Sequence, residues 1–197
     1  MLLKISRFFT ILSVVPILIV LSGQSHARSP QTATGEDQGS HLLLYNTHTG
    51  ERINVVYRQG ERYIPSALAK LEYFLRDHRT GEIRHFDPRL YDILSDLTVS
   101  VGHPGAEVDI VCGYRTPSTN ESLRARTSGV AKNSLHIQGQ AIDLRVPGID
   151  TLTLRRAALA LARGGVGYYP HSDFIHVDTG RVRQWCFNCS ASLAAGD

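Results

Sequence analysis

Ser134-Leu135-His136-Ile137-Gln138-Gly139-Gln140-Ala141-Ile142-Asp143 is answered some thirty residues later by Asp173-Phe174-Ile175-His176-Val177-Asp178. Both stretches set histidine and carboxylate in short apolar runs that read as strands. Neutral imidazole and carboxylate are zinc ligands, and a catalytic zinc takes three from the protein while leaving a fourth position to water. His136, Asp143 and His176 supply that number, so the pattern predicts a hydrolytic site holding one zinc ion. The spacing constrains its geometry. Seven residues apart on an uninterrupted strand, His136 and Asp143 would face opposite sides of a sheet. They meet only if the chain bends between them, and Gly139 is the residue that permits it. Asp173 would sit opposite His176 on a regular strand. It is therefore expected on the incoming loop, near the metal and free to act as general base.

Outward from these stretches, the chain reads as α+β. Leu42 to Tyr45 and Arg52 to Tyr57 are predicted strands joined by a turn at Thr49-Gly50. Pro65 opens a helix with Leu68, Leu71, Phe74 and Leu75 at helical spacing, and Asp87-Pro88 opens another with Leu90, Tyr91, Leu94 and Leu97. Val108 to Cys112 is a short buried strand leading into Gly113-Tyr114-Arg115. Thr116 to Asn133 is polar and reads as a loop bordering the site. Asp150 or Thr151 caps a helix that ends near Gly164-Gly165. The Phe174-to-Val177 strand then delivers His176, and Trp185 is expected to close the core. The predicted architecture is helices packed on a small, mainly antiparallel sheet that carries the zinc site.

The first residues read as an export signal. Lys4 and Arg7 precede an apolar run from Phe8 to Leu21, and Ser25-His26-Ala27 offers small residues for cleavage. The run is shorter than the roughly 18 to 20 residues a spanning helix needs, and no cysteine follows it to take a lipid. The expected organisation is a signal peptide at 1–27, a flexible linker at 28–40, a catalytic domain at 41–185, and a Cys-x-x-Cys with a tail at 186–197. This places the mature protein in the periplasm or elsewhere outside the cytoplasm, with no stable membrane anchor. The net charge of the whole chain is +3, and Lys4 and Arg7 leave with the leader. A nearly neutral chain carries no nucleic-acid footprint and no membrane-surface footprint. Three cysteines are an odd number for an oxidising compartment. Cys186 pairs with Cys189, or one of them reaches Cys112, leaving one thiol over.

Ser134-x-His136-x-x-Gly139-x-Ala141-x-Asp143 followed by Asp173-x-x-His176 resembles the zinc peptidases that include D-alanyl-D-alanine carboxypeptidases, dipeptidases and L-alanyl-D-glutamate endopeptidases. Gly113-Tyr114-Arg115-Thr116-Pro117, with Asn120 just after, resembles the same family's Gly-Tyr-Arg segment. From Leu42 to Trp185, opening with Leu44-Tyr45-Asn46-Thr47-His48-Thr49-Gly50-Glu51, the chain is more specifically similar to the murein endopeptidase K branch. The resemblance implies a peptidase acting on peptidoglycan peptide stems, most naturally on their cross-links. It also implies that Arg115 contacts substrate, where its planar fork matches a carboxylate or a developing oxyanion. Several relatives carry His-x-His where this chain has His176-Val177-Asp178, which makes Asp178 a partner of His176 or Arg115 rather than a ligand. Removal of terminal residues by a carboxypeptidase or dipeptidase, or a cell-wall-binding module without catalysis, are the alternatives that the residues leave open.

Overall fold

The computed structural model describes residues 39–189. The expected signal peptide, most of the linker and the tail beyond Cys189 lie outside them. Eight strands form one mixed sheet: β1 (Ser40–Asn46), β2 (Arg52–Gln59), β3 (Arg62–Tyr63), β4 (Val108–Cys112), β5 (Ala141–Arg145), β6 (Gly165–Tyr169), β7 (Phe174–Asp178) and β8 (Arg183–Cys186). Their spatial order is β3-β2-β1-β4-β5-β7-β6-β8. Pairing is antiparallel except between β1 and β4 and between β6 and β8. The sheet is thus mainly antiparallel, as expected, but wider than the sequence suggested. Among the described residues, no helix is long and apolar enough to cross a membrane.

Three helices pack on the sheet: α1 (Pro65–Phe74), α2 (Arg89–Ser100) and α4 (Thr151–Leu161). Each starts where local chemistry allows. Proline occupies the first turn of α1, where its missing N–H costs nothing. Asp150 accepts from the N–H groups of Leu152 and Thr153 to cap α4. Leu71, Leu90, Leu94 and Leu154 from these helices are fully buried with Ile142, Leu144, Ile175 and Val177 from the central strands. Alternation then puts Asp143 and His176 on the opposite face of the same strands. The strand pattern that fills the core therefore also aims the polar residues away from it.

Two elements had no counterpart in the sequence reading. Within the expected loop lies a further helix, α3 (Pro117–Arg124), whose N-terminus Thr116 caps by accepting from Thr119 N–H. The last strand, β8, pairs parallel to β6 and places Trp185 opposite Gly167. Trp185 does not close the core. Its indole stands on the polar face, with ring centroids 5.0 Å from His176, and donates to the Tyr169 hydroxyl at 3.1 Å. Cys186 and Cys189 are joined in a disulfide, and Cys112 is free.

Candidate active site

The site is a row across the sheet. Cys112 on β4 faces Asp143 on β5, Asp143 faces His176 on β7, His176 faces Gly167 on β6, and Gly167 faces Trp185 on β8. Gly167 belongs there for its size: a Cβ at this position would meet the indole of Trp185 at 2.5 Å. His136 reaches the row from outside the sheet. It sits on a 3-10 turn, Leu135–Gln138, rather than on a strand, and the turn is capped by Ser134, whose hydroxyl accepts from His136 N–H. Gly139 then takes a left-handed conformation, φ +67°, and reverses the chain into β5. That reversal solves the seven-residue spacing, bringing His136 and Asp143 to the same point.

At that point three acceptors converge. His136 Nδ1 lies 2.8 Å from the Gly113 carbonyl oxygen, which can only accept, so Nδ1 carries the proton and Nε2 a lone pair. His176 Nε2 lies 3.0 Å from the Asp178 carboxylate, so His176 presents Nδ1 as its free nitrogen. The distances are 3.2 Å between His136 Nε2 and Asp143 Oδ1, 3.2 Å between the two imidazole nitrogens, and 2.8 Å between His176 Nδ1 and Asp143 Oδ1. Ligand atoms about 2.0–2.1 Å from a tetrahedral zinc stand about 3.3 Å apart. A proton can bridge two of these acceptors, whereas one cation satisfies all three. Each imidazole also has an acceptor for its outer N–H, the arrangement that fixes tautomer and ring orientation at metal centres. Cys112 Sγ completes a second set with His136 and Asp143, their donor atoms all within 4.8 Å of one another.

Burial and the charges within the cluster set the electrostatics of the site. Burial pushes the His136 imidazole below its ordinary pKa, keeping its lone pair available. For Asp143 burial works in the opposite sense, yet the neighbouring imidazoles of His136 and His176 hold its carboxyl far below the usual range. Burial likewise opposes the carboxylate form of Asp178, and hydrogen bonds from His176 and Arg183 override it. His176 is held up by Asp143 and Asp178 against its own burial. Burial pushes the Cys112 thiol up to about 12.

Asp178 is the fixed point beneath His176. It is 1 % exposed and accepts from Gly165 N–H, Gly180 N–H and both terminal nitrogens of Arg183, as well as from His176. Arg115 stands on the other side of Asp143, with Nη2 3.8 Å from Oδ2. Its Nη1 donates to Asn120 Oδ1 at 3.5 Å, and among the described residues its buried Nε finds no partner. Asn120 in turn donates to the carbonyls of Ala131 and Lys132, tying α3 to the loop that follows.

A cleft of ≈ 420 Å³ opens over the row, with Arg115, His136, Asp143 and His176 in its lining. Tyr169, Phe174 and Trp185 make an aromatic wall, and His48 and His78 stack at 4.0 Å along another edge. No local pattern brings these two histidines together, for they lie thirty residues apart in the chain. Asp173 departs from expectation. It is on the incoming loop, but in a left-handed conformation at φ 52° that turns its carboxylate away. The carboxylate is exposed, accepts from Thr151 Oγ1 at 3.2 Å, stands 4.0 Å from Arg145, and does not line the cleft. Four of the five expected site residues come together, and Asp173, the expected general base, stands outside the cleft.

A family model described as "Peptidoglycan L,D-endopeptidase MepK" matches residues 34–185. A peptidoglycan L,D-endopeptidase MepK of Escherichia coli strain K12 is 47% identical over 144 residues, which are 73% of this chain and 79% of that protein. A probable peptidoglycan L,D-endopeptidase MepK of Haemophilus influenzae is 44% identical over 144 residues, 73% of this chain and 77% of that protein. The matched region contains all eight strands but for the last residue of β8, and also His136, Asp143 and His176. The chain belongs to the peptidoglycan L,D-endopeptidase MepK family of peptidases.

Proposed function

We propose that this chain is an exported zinc endopeptidase that hydrolyses L,D amide bonds in peptidoglycan cross-links, with His136, Asp143 and His176 as metal ligands and Arg115 as the substrate-binding cation. One observation carries the metal reading: three acceptor atoms, from three separate chain segments, converge at 2.8–3.2 Å with both imidazole tautomers fixed from behind. The relatives' names supply the bond, an amide between an L centre and a D centre. Peptidoglycan lies outside the cytoplasmic membrane, which agrees with the leader read at 1–27.

A zinc ion held by these residues supplies Lewis acidity to the scissile carbonyl and to water. The chain's own residues do the rest. Asp178 keeps His176 in the tautomer that leaves Nδ1 free, and Gly113 does the same for His136 Nε2. The cluster is pre-organised, so little reorganisation is needed when charge develops. Arg115 lines the cleft in a largely buried setting, where a charge-assisted hydrogen bond from its guanidinium to a stem carboxylate or an oxyanion is stronger than in water. Trp185, Phe174 and Tyr169 form an apolar wall against which the aliphatic part of a cross-link packs.

The test is digestion of purified cross-linked peptidoglycan by the mature chain, with and without a chelator, followed by mass analysis. Conversion of L,D-cross-linked dimers to monomers, abolished by the chelator and restored by zinc, is the expected result. Dimers that stay linked but lose a terminal residue would make the enzyme a carboxypeptidase. No product from zinc-loaded protein would make it a binding module.

A further inference from the structure

We infer that Cys112 is a fourth protein ligand of this metal centre, closing it in the resting enzyme. The inference rests on the metal-site reading above and adds a residue to it. With Cys186 and Cys189 joined, Cys112 is the one free thiol of the three cysteines, and it lines the cleft.

Its position results from an irregularity in β4. Asp109 pairs with Arg145 and Ile110 with Leu144, so an unbroken ladder would next pair Val111 with Asp143 and aim Cys112 at the helix face beside Ile110. The register shifts instead, and Cys112 itself pairs with Asp143. One extra residue in the strand re-aims the next side chain, as bulges beside active sites do. The result sets the sulfur within 4.8 Å of the donor atoms of His136 and Asp143. A tetrahedral zinc with bonds of about 2.3 Å to sulfur and 2.0–2.1 Å to nitrogen needs a separation of about 3.6 Å. Coordination through sulfur would bring these donor atoms from within 4.8 Å to that separation. Arg115 lines the same cleft as Cys112 and brings a positive charge to it.

Coordination is balanced without any oxidant: the S–H bond breaks, the proton passes to solvent, and the sulfur lone pair forms the bond to the metal. Two imidazoles, one carboxylate and one thiolate would supply the four protein ligands of a closed site. For a hydrolase acting on the wall that encloses its own cell, a closed resting centre restrains activity away from substrate.

Cobalt(II) added to the metal-free protein under reducing, anaerobic conditions tests this, with the absorption spectrum as readout. The expected spectrum has intense visible d–d bands of a four-coordinate ion and a near-ultraviolet thiolate-to-cobalt charge-transfer band. In Cys112→Ser the d–d bands persist, the charge-transfer band is gone, and cobalt affinity falls about tenfold or more, on the scale set by lost ligand-sphere contacts. Alkylation of Cys112 by iodoacetamide is expected to be at least tenfold slower in the cobalt-loaded protein than in the metal-free one. Wild-type d–d bands without a charge-transfer band would overturn the inference while leaving the three-ligand centre standing. A charge-transfer band that survives in Cys112→Ser would also overturn it. Failure to bind cobalt at all would remove both readings together.

Discussion

Gly139→Ala tests the turn on which the centre depends. Two costs can be worked from the structure. At φ +67° an L-residue is in the left-handed region, which costs about 1–2 kcal/mol. The added methyl would also run into the carbonyl oxygen of His85. That carbonyl cannot retreat freely: Asp87 N–H donates to the Gly139 oxygen at 2.9 Å, and Phe86 N–H donates to Glu72. Forcing an extra carbon into packed structure costs about 1–3 kcal/mol. Together the loss is about 2–5 kcal/mol, a large share of the roughly 5–15 kcal/mol that holds a domain together. Urea unfolding in the presence of a chelator reads this directly. Gly139→Asn separates the two costs, because asparagine tolerates left-handed backbone but carries the same Cβ. If the clash dominates, the two variants are equally unstable; if the backbone sign dominates, asparagine recovers the difference. Since Gly139 lies between His136 and Asp143, the proposed ligands, zinc affinity should also fall by about tenfold or more. A Gly139→Ala protein within about 0.5 kcal/mol of wild type, the range of an ordinary surface change, with unchanged zinc content would refute the reasoning.

Three further outcomes are expected. Arg115→Lys should retain zinc and lose turnover by about tenfold or more, because a point charge does not reproduce the planar fork; loss of zinc in this variant would make Arg115 a structural residue instead. Asp173→Ala should digest peptidoglycan at the wild-type rate and cost less than about 1 kcal/mol, as exposed ion pairs do. A drop of about a hundredfold or more would return Asp173 to the role of proton acceptor. Asp77 is buried, and although burial opposes its charge, hydrogen bonds from Thr119, Thr116 and Arg79 hold its carboxyl below the usual range. A depressed folded pKa contributes stability that is fully present above the unfolded value of about 3.9 and lost as pH falls through the folded one. Asp77→Asn should therefore be less stable at pH 7 by about 1–3 kcal/mol and lose less on acidification below about pH 4. Parallel acid limbs for the two proteins would contradict this.

What the sequence disclosed follows from where its signals are local. Helical stripes in α1, α2 and α4, and the alternation in β5 and β7, depend on neighbouring residues and were legible. The reversal at Gly139 was legible too, because His136 and Asp143, seven apart, meet only through one. Helix α3 was not: Pro117 to Arg124 has a single large apolar residue, Leu123, and its only sign was the Thr116-Pro117 start. Strand β8 has four residues and exists through parallel pairing with β6, a contact that no local pattern encodes. The same limit hid Cys112, which a shift in ladder register turns toward Asp143. For Asp173 the spacing to His176 was read correctly as a loop, but spacing carries no information on the direction a left-handed residue gives its side chain.

The anchoring of His176 through Asp178 to Arg183 has a consequence in time. Donors to Asp178 come from Gly165, Gly180 and Arg183, so the orientation of His176 on β7 depends in part on the strand that follows it. Along the chain His136 and Asp143 come well before His176, and His176 comes before the arginine that steadies its support. The cluster is therefore complete only when the end of the domain has folded back beside β6. An enzyme that cuts the wall is in this way without its full cluster until nearly the whole domain has folded.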